Sequence, residues 1–183
     1  HHFTVLAGPI LRAKKIPIVQ WHCHKSTPLL LRIAHHFSEV IITASPEGCR
    51  LPSGPKVITG HGIDMTKFKI VEEKSDGPLV LLHVGRIAPI KRLELLLEAG
   101  GWLSPINPEL EFQIKIVGDA PEENADYKNR LLQLVRELRI ERKVHFLGGC
   151  GYLQIAHHFQ RADLCFNGCN DTDLCLGILK LVI

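Results

Sequence analysis

The chain has 183 residues, 45% of them hydrophobic and 22% charged, a balance that supports a packed globular core. Its 22 Lys and Arg against 19 Asp and Glu leave a formal net charge of +3, too small and too dispersed for a nucleic-acid binder, so any anion site must be local. No apolar run approaches the roughly 20 residues needed to span a bilayer as a helix.

In chain order, residues 16–21 (IPIVQW) form a short apolar, β-branched run that reads as a strand. His22, Cys23, His24 and Lys25 follow as a loop, and 27–37 reads as a helix. Residues 40–44 (VIITA) read as another buried strand and 56–59 (KVIT) as a third strand, with Ser45-Pro46-Glu47-Gly48 between them as a turn or helix start. Residues 63–78 are charged, lack periodicity and include Gly77-Pro78, which makes them the expected hinge between a partial first domain (1–62) and a second domain (79–183).

The pattern then restarts with more regularity: strand 79–84, helix 91–103, strand 112–117, helix 126–139, strand 144–147, helix 152–161, strand 163–166. Leu93, Leu96, Leu97 and Leu103 share one helical face, and Tyr127, Leu131, Leu134, Val135 and Leu138 share another. The strands are continuously apolar rather than alternating, as expected of a parallel sheet covered by helices on both faces. The expected fold is α/β, a doubly wound Rossmann-like domain preceded by the latter part of a second one, with the ligand beyond the carboxyl ends of the strands.

At that edge, LVLLHV runs into Gly85-Arg86 and, after Ile87-Ala88-Pro89-Ile90, Lys91-Arg92 at the expected start of a helix. Gly85 lets backbone approach an anion, a helix N-terminus offers unpaired N–H groups, and Arg86 with Lys91 adds two full charges. A diphosphate suits this arrangement, although a plain turn glycine with two solvated cations would look the same locally. A dinucleotide site would require GxGxxG after the first strand, and Gly85 is not followed by that pattern. Eleven histidines and six cysteines show no HExxH, CxxC or finger spacing, so no metal or other cofactor is expected, and the thiols read as reduced and cytoplasmic. The first residue is not Met and the last stretch stays apolar, which suggests a truncated chain.

Read together, VGRIAPIKRLELLLEA, the earlier Ser45-Pro46-Glu47-Gly48, GHGID at 60–64 with Phe68, Ile116-Val117-Gly118-Asp119, and VHFLG with Arg161-Ala162-Asp163 resemble, in order, the signatures of family-4 glycosyltransferases of the GT-B fold. The resemblance runs from about Trp21 to about Asp173. It implies an enzyme that transfers a sugar from a nucleotide-diphosphate sugar to an acceptor with retention. The acceptor is not identified by the sequence, be it glycan, lipid or small molecule, with peripheral membrane contact as one possibility. By the same resemblance Arg86 and Lys91 hold the donor diphosphate, Gly85 gives the backbone clearance, and Gly118 and Asp119 line the nucleotide pocket. Asp119 could equally cap its own loop. His24 corresponds to a histidine facing the donor sugar, and Gly62 lies in the hinge motif where backbone comes close to substrate.

One departure is plain. The family places two glutamates, E-x7-E, after the last strand, and here Asn170-Asp171-Thr172-Asp173 precedes an apolar stretch. If Asp173 stands for the first acid, Leu181 falls at the second; if Lys180 stands for the second, Thr172 falls at the first. A catalytically inactive nucleotide-sugar-binding fragment is therefore the alternative expectation.

Overall fold

The computed structural model describes residues 1–24, 26–51, 54–69, 77–168 and the backbone of 180–181. The chain divides into two compact units, His1–Ile63 and Asp64–Ile183.

In the first unit, β1 (Val19–Trp21), β2 (Val40–Thr43) and β3 (Lys56–Ile58) form a parallel sheet in the order β1-β2-β3. Only the end of the 16–21 run is strand, since Pro17 has no N–H for a ladder and Ile16 N–H closes back on the Leu11 carbonyl. That closure terminates a helix the sequence pattern did not announce, α1 (His2–Ala13), whose Pro9 lies inside the helix where the ring is ordinarily a breaker. α2 (Leu29–Phe37) places Leu31 against Ile41, Cys49 and Leu51 to make a small core.

The second unit is built on β4 (Leu79–Val84), with β5 (Phe112–Val117) and β6 (Val144–Gly148) on one side and β7 (Leu164–Cys165) and β8 (Lys180–Leu181) on the other. The strands β4 to β7 run parallel, and β8 is antiparallel to β7. Helices α3 (Leu93–Ile106), α4 (Ala125–Glu137) and α5 (Tyr152–Gln160) alternate with them. The expected helical faces are the ones packed: Leu93, Leu96, Leu97, Tyr127, Leu131 and Val135 join Phe112, Ile114 and Ile116 in one core. A second, smaller cluster of Leu82, Val117 and Ala162, with Phe159 against it, also draws on β4 and β5. The two central strands thus contribute to two clusters, and β4 (LVLLHV) is apolar without alternation but for His83, whereas β5 (FQIKIV) departs from the expected continuous run, Gln113 and Lys115 alternating with the buried Phe112, Ile114 and Ile116. β5 and β6 are out of step by one residue near their ends, Ile116 pairing with Phe146 but Val117 with Gly148.

The start of α3 differs from the sequence expectation. Pro89–Lys91 is a 3-10 turn, Arg92 takes a left-handed conformation at φ 48°, and the helix begins at Leu93. Lys91 therefore lies on a separate turn ahead of the helix. The left-handed residue breaks the run that apolar spacing alone extends back to Lys91.

Candidate functional site

The carboxyl ends of β4, β5 and β6 all pass into glycine: Gly85 after Val84, Gly118 after Val117, and Gly148-Gly149 at the end of β6. Beyond the strands the backbones stay stitched together. Gly85 N–H donates to the Val117 carbonyl at 2.9 Å, Ile87 N–H to the Asp119 carbonyl at 2.9 Å, and Gly118 N–H to the Gly148 carbonyl at 2.8 Å. Gly85 and Gly118 sit at φ 152° and 140°, where L side chains are rarely found, and a Cβ at Gly118 would run into the Gly85 carbonyl oxygen. The result is a bare, rigid ledge of backbone along three strand ends.

From this ledge the chain carries Arg86 outward into solvent, while Ile87 and Ala88 turn inward and are buried, fixing the loop from below. The 3-10 turn then presents Lys91, half-buried, with its backbone N–H bonded to the Ala88 carbonyl. Among the described residues neither the Arg86 guanidinium nor the Lys91 ammonium has an ion-pair partner, and no backbone acceptor takes the Arg86 N–H. Two unpartnered cations beside exposed backbone suit a multiply charged anion.

The N-terminus of α3 contributes less than the sequence suggests. Leu93 N–H donates to the Tyr127 hydroxyl at 2.9 Å, and that hydroxyl donates to Glu94 Oε2 at 2.6 Å. A helix-terminal N–H expected to be free is thus occupied by a side chain from α4. Burial and the neighbouring Glu94 carboxylate push the Tyr127 hydroxyl up to about 12, so it stays a neutral donor.

Asp119 takes the loop-capping role: its Oδ1 accepts from Gly149 N–H at 3.0 Å, joining the ends of β5 and β6. On β4, His83 is buried, with Nδ1–H donating to the Phe166 carbonyl at 3.1 Å. The sequence reading passed over it, although a lone polar residue in the run LVLLHV was the available signal. Gly148 and Gly149 were passed over as well.

The other expected residues lie elsewhere. His22 is buried and its Nε2–H donates to the His24 carbonyl at 3.0 Å, shaping the loop after β1. His24 is exposed, and its Nδ1 accepts the Ser26 N–H at 3.1 Å, which leaves the proton on Nε2. Gly62 is exposed with nothing within 4 Å of where a Cβ would sit. Both belong to the first unit, whereas Gly85, Arg86, Lys91, Gly118 and Asp119 are brought together on one edge of the second. Asp173 lies outside the described residues.

Comparison with known proteins bears on this edge. The family model described as "Glycosyl transferases group 1" matches residues 64–170, more than half of the chain. N-acetyl-alpha-D-glucosaminyl L-malate synthase of Bacillus anthracis is 33% identical over 85 residues, 46% of this chain and 20% of that protein. D-inositol 3-phosphate glycosyltransferase of Geodermatophilus obscurus is 33% identical over 118 residues, 59% of this chain and 26% of that one. The chain thus spans about a quarter or less of the length of these relatives. Among solved structures, Anabaena HepE in complex with UDP superposes with a TM-score of 0.70 at 20% identity, covering 91% of this chain and 50% of that chain. Sucrose-phosphate synthase of Thermosynechococcus elongatus superposes with a TM-score of 0.61 at 17% identity, covering 90% of this chain and 49% of that chain. At such identities these superpositions carry the fold alone.

Proposed function

This chain belongs to the glycosyl transferases group 1 family and has the parallel-sheet α/β fold of GT-B proteins, and from that premise we propose that its second unit grips the diphosphate of a nucleotide-sugar donor. The observation that carries the proposal is the glycine ledge of Gly85 and Gly118, with Arg86 and Lys91 beside it and without an ion-pair partner among the described residues. Backbone can approach the phosphates there because no side chain stands in the way. The two cations supply charge without drawing it from an internal carboxylate.

The proposed reaction is glycosyl transfer, with retention of anomeric configuration as the finer reading. As the bond between the anomeric carbon and the diphosphate oxygen breaks, negative charge grows on the leaving group. Arg86 offers a planar fork for two phosphate oxygens and Lys91 a point charge. Fixed donors of this kind are each worth about 10²–10³ in rate. No metal ion is part of this reading: Arg86 and Lys91 offset part of the charge on the leaving diphosphate. For Gly118 we propose close passage of the nucleotide, and for Asp119 support of that passage through Gly149. For His24 we propose a hydrogen bond from Nε2 to a sugar hydroxyl, a role suited by the tautomer that Ser26 selects. No described helix is long and apolar enough to cross a membrane. A cytoplasmic site of action, with peripheral contact at the inner face of the membrane, is the corresponding proposal.

The second reading is nucleotide-sugar binding without turnover. It is favoured by one observation: the stretch 166–183 that follows β7 holds Asp171 and Asp173 but no glutamate, so the E-x7-E spacing is not met within it. Titration calorimetry with UDP, GDP and ADP, followed by assay of sugar release from the nucleotide sugar whose base binds, separates the readings. Binding with release supports transfer, and binding without release supports the second reading. A folded protein that binds no nucleoside diphosphate at millimolar concentration overturns both.

A further inference from the structure

Among the described residues, His83 is the titratable side chain sealed beneath the candidate diphosphate loop. It projects from the central strand, 1% exposed, two residues before Gly85. Its Nδ1 faces the carbonyl oxygen of Phe166, which can only accept, so the neutral ring keeps its proton there. Nε2 is then a bare acceptor. It is buried and has no hydrogen-bond partner, and it approaches the backbone of Gly85, where a built Cβ would lie 3.3 Å away. A buried acceptor left unmatched is unfavourable, and here it is aimed at the loop that carries Arg86 and Lys91.

The surroundings of the ring fix how it responds. Lys91 on the 3-10 turn is the charged group that acts on it, and opposes a second positive charge. On β5, the register partner of His83 is Ile116, followed by Val117, both apolar. On β7, Cys165 is held as a neutral thiol because burial pushes it up. Asp119, past the end of β5, is engaged by Gly149. Burial and Lys91 hold the imidazole below its ordinary 6.5, while the carbonyls of Phe166 and Gly85 favour its charged form. What the loop lacks is a negative charge to balance a protonated ring.

We propose that His83 is a positioning residue that takes up a proton at Nε2 when a diphosphate binds at Arg86 and Lys91, coupling donor affinity to pH. The inference rests on the donor-site reading above. The proton comes from solvent and adds to the Nε2 lone pair; the new N–H points toward the Gly85 backbone, and no bond breaks. The bound diphosphate offsets Lys91 and Arg86, so the ring protonates at a higher pH in the complex than in the free protein. Affinity therefore rises as pH falls through the bound-state value, and levels off below the free-state value.

The test uses UDP-glucose, whose diphosphate is a diester without a group titrating in this range, so that any pH dependence belongs to the protein. Calorimetry between about pH 5.5 and pH 8 should show affinity rising about tenfold toward the acid side, as a one-unit difference in pKa requires. Near neutral pH, buffers of different ionisation enthalpy should report net proton uptake. His83→Gln should flatten the profile and abolish the uptake, whereas loss of a purely structural contact would lower stability and leave the pH slope in place. A slope unchanged in His83→Gln overturns the inference while leaving the donor site intact. If that variant does not fold, NMR titration of the wild-type imidazoles serves: one buried histidine should titrate at higher pH with UDP-glucose bound, and no ligand-dependent change overturns the proposal. Absence of binding by the folded wild type at every pH overturns the donor reading and this inference with it.

Discussion

The two edges of the larger sheet both carry cations, and they use them differently. At the amino edge, Pro78, Pro108, Leu110, Glu111, Arg142 and Lys143 rim a shallow cavity of about 240 Å³. There Lys143 donates to Ser104 Oγ at 3.2 Å and sits 4.1 Å above the Phe112 ring, so its charge is engaged in holding β5 and β6 to α3. At the carboxyl edge, Arg86 and Lys91 have no such partner among the described residues, and the backbone beside them is glycine. A positive residue near a depression is therefore a poor marker of an anion site. An unpartnered one over backbone free of side chains is a better marker, because nothing has to be broken before the ligand binds.

The strongest way to break this contrast is to put a side chain on the ledge. Gly118→Ala sets a Cβ against the Gly85 carbonyl at a φ of 140°, where the atoms it meets all belong to the Gly85 backbone and cannot swing aside. A loss of about 3 kcal/mol or more is expected, read as a fall in the urea midpoint, and an unchanged midpoint would show that the ledge is not rigid. Next in size are the cations themselves. Arg86→Ala and Lys91→Ala should each weaken binding of a nucleoside diphosphate by about 1.5–3 kcal/mol, with a smaller loss for the monophosphate and little change in melting temperature. Lys143→Ala is the matched control, and by calorimetry should leave that affinity unaltered. Equal losses from Lys143→Ala and Lys91→Ala would erase the distinction between the edges.

A smaller effect belongs to Tyr127→Phe, which removes the acceptor of Leu93 N–H and the donor to Glu94 at once. About 1–2 kcal/mol of stability should be lost, with the nucleoside diphosphate still bound. The sign of its pH dependence follows from the raised value: the neutral hydroxyl stabilises the fold fully below about 10, and that contribution fades as pH rises from about 10 to about 12. Alkaline unfolding of Tyr127→Phe should consequently be shallower than that of the wild type over this window.

The alternation of strands and helices from 79 to 166 was legible because the apolar positions are local and periodic: Leu93, Leu96, Leu97, Leu131 and Val135 are spaced for the faces they occupy. So were Gly85, Arg86 and Lys91 as a group, since one loop holds them all. What escaped depends on partners far along the chain. Tyr127 fills a helix N-terminus 34 residues away, His83 answers to a carbonyl 83 residues away, and Asp119 reaches Gly149 across 30 residues. No spacing rule encodes those distances. α1 was missed for a different reason, because Pro9 inside it contradicts the usual breaker signal. The E-x7-E departure, with Asp173, falls among residues outside those described.

The one-residue slip between β5 and β6, where Leu147 is skipped in the pairing, has a consequence for how this edge can be altered. Because β6 takes one residue more than β5 over the same distance, Gly148 is held opposite Val117 and Gly149 within reach of the Asp119 carboxylate, where a regular ladder would carry both one residue further along. The strand thus holds one spare residue. Deleting Leu147 would close the bulge and leave Gly148 opposite Val117, whereas inserting a residue between Val144 and Gly148 has no such reserve and would put the glycines out of line with Gly118 and Asp119.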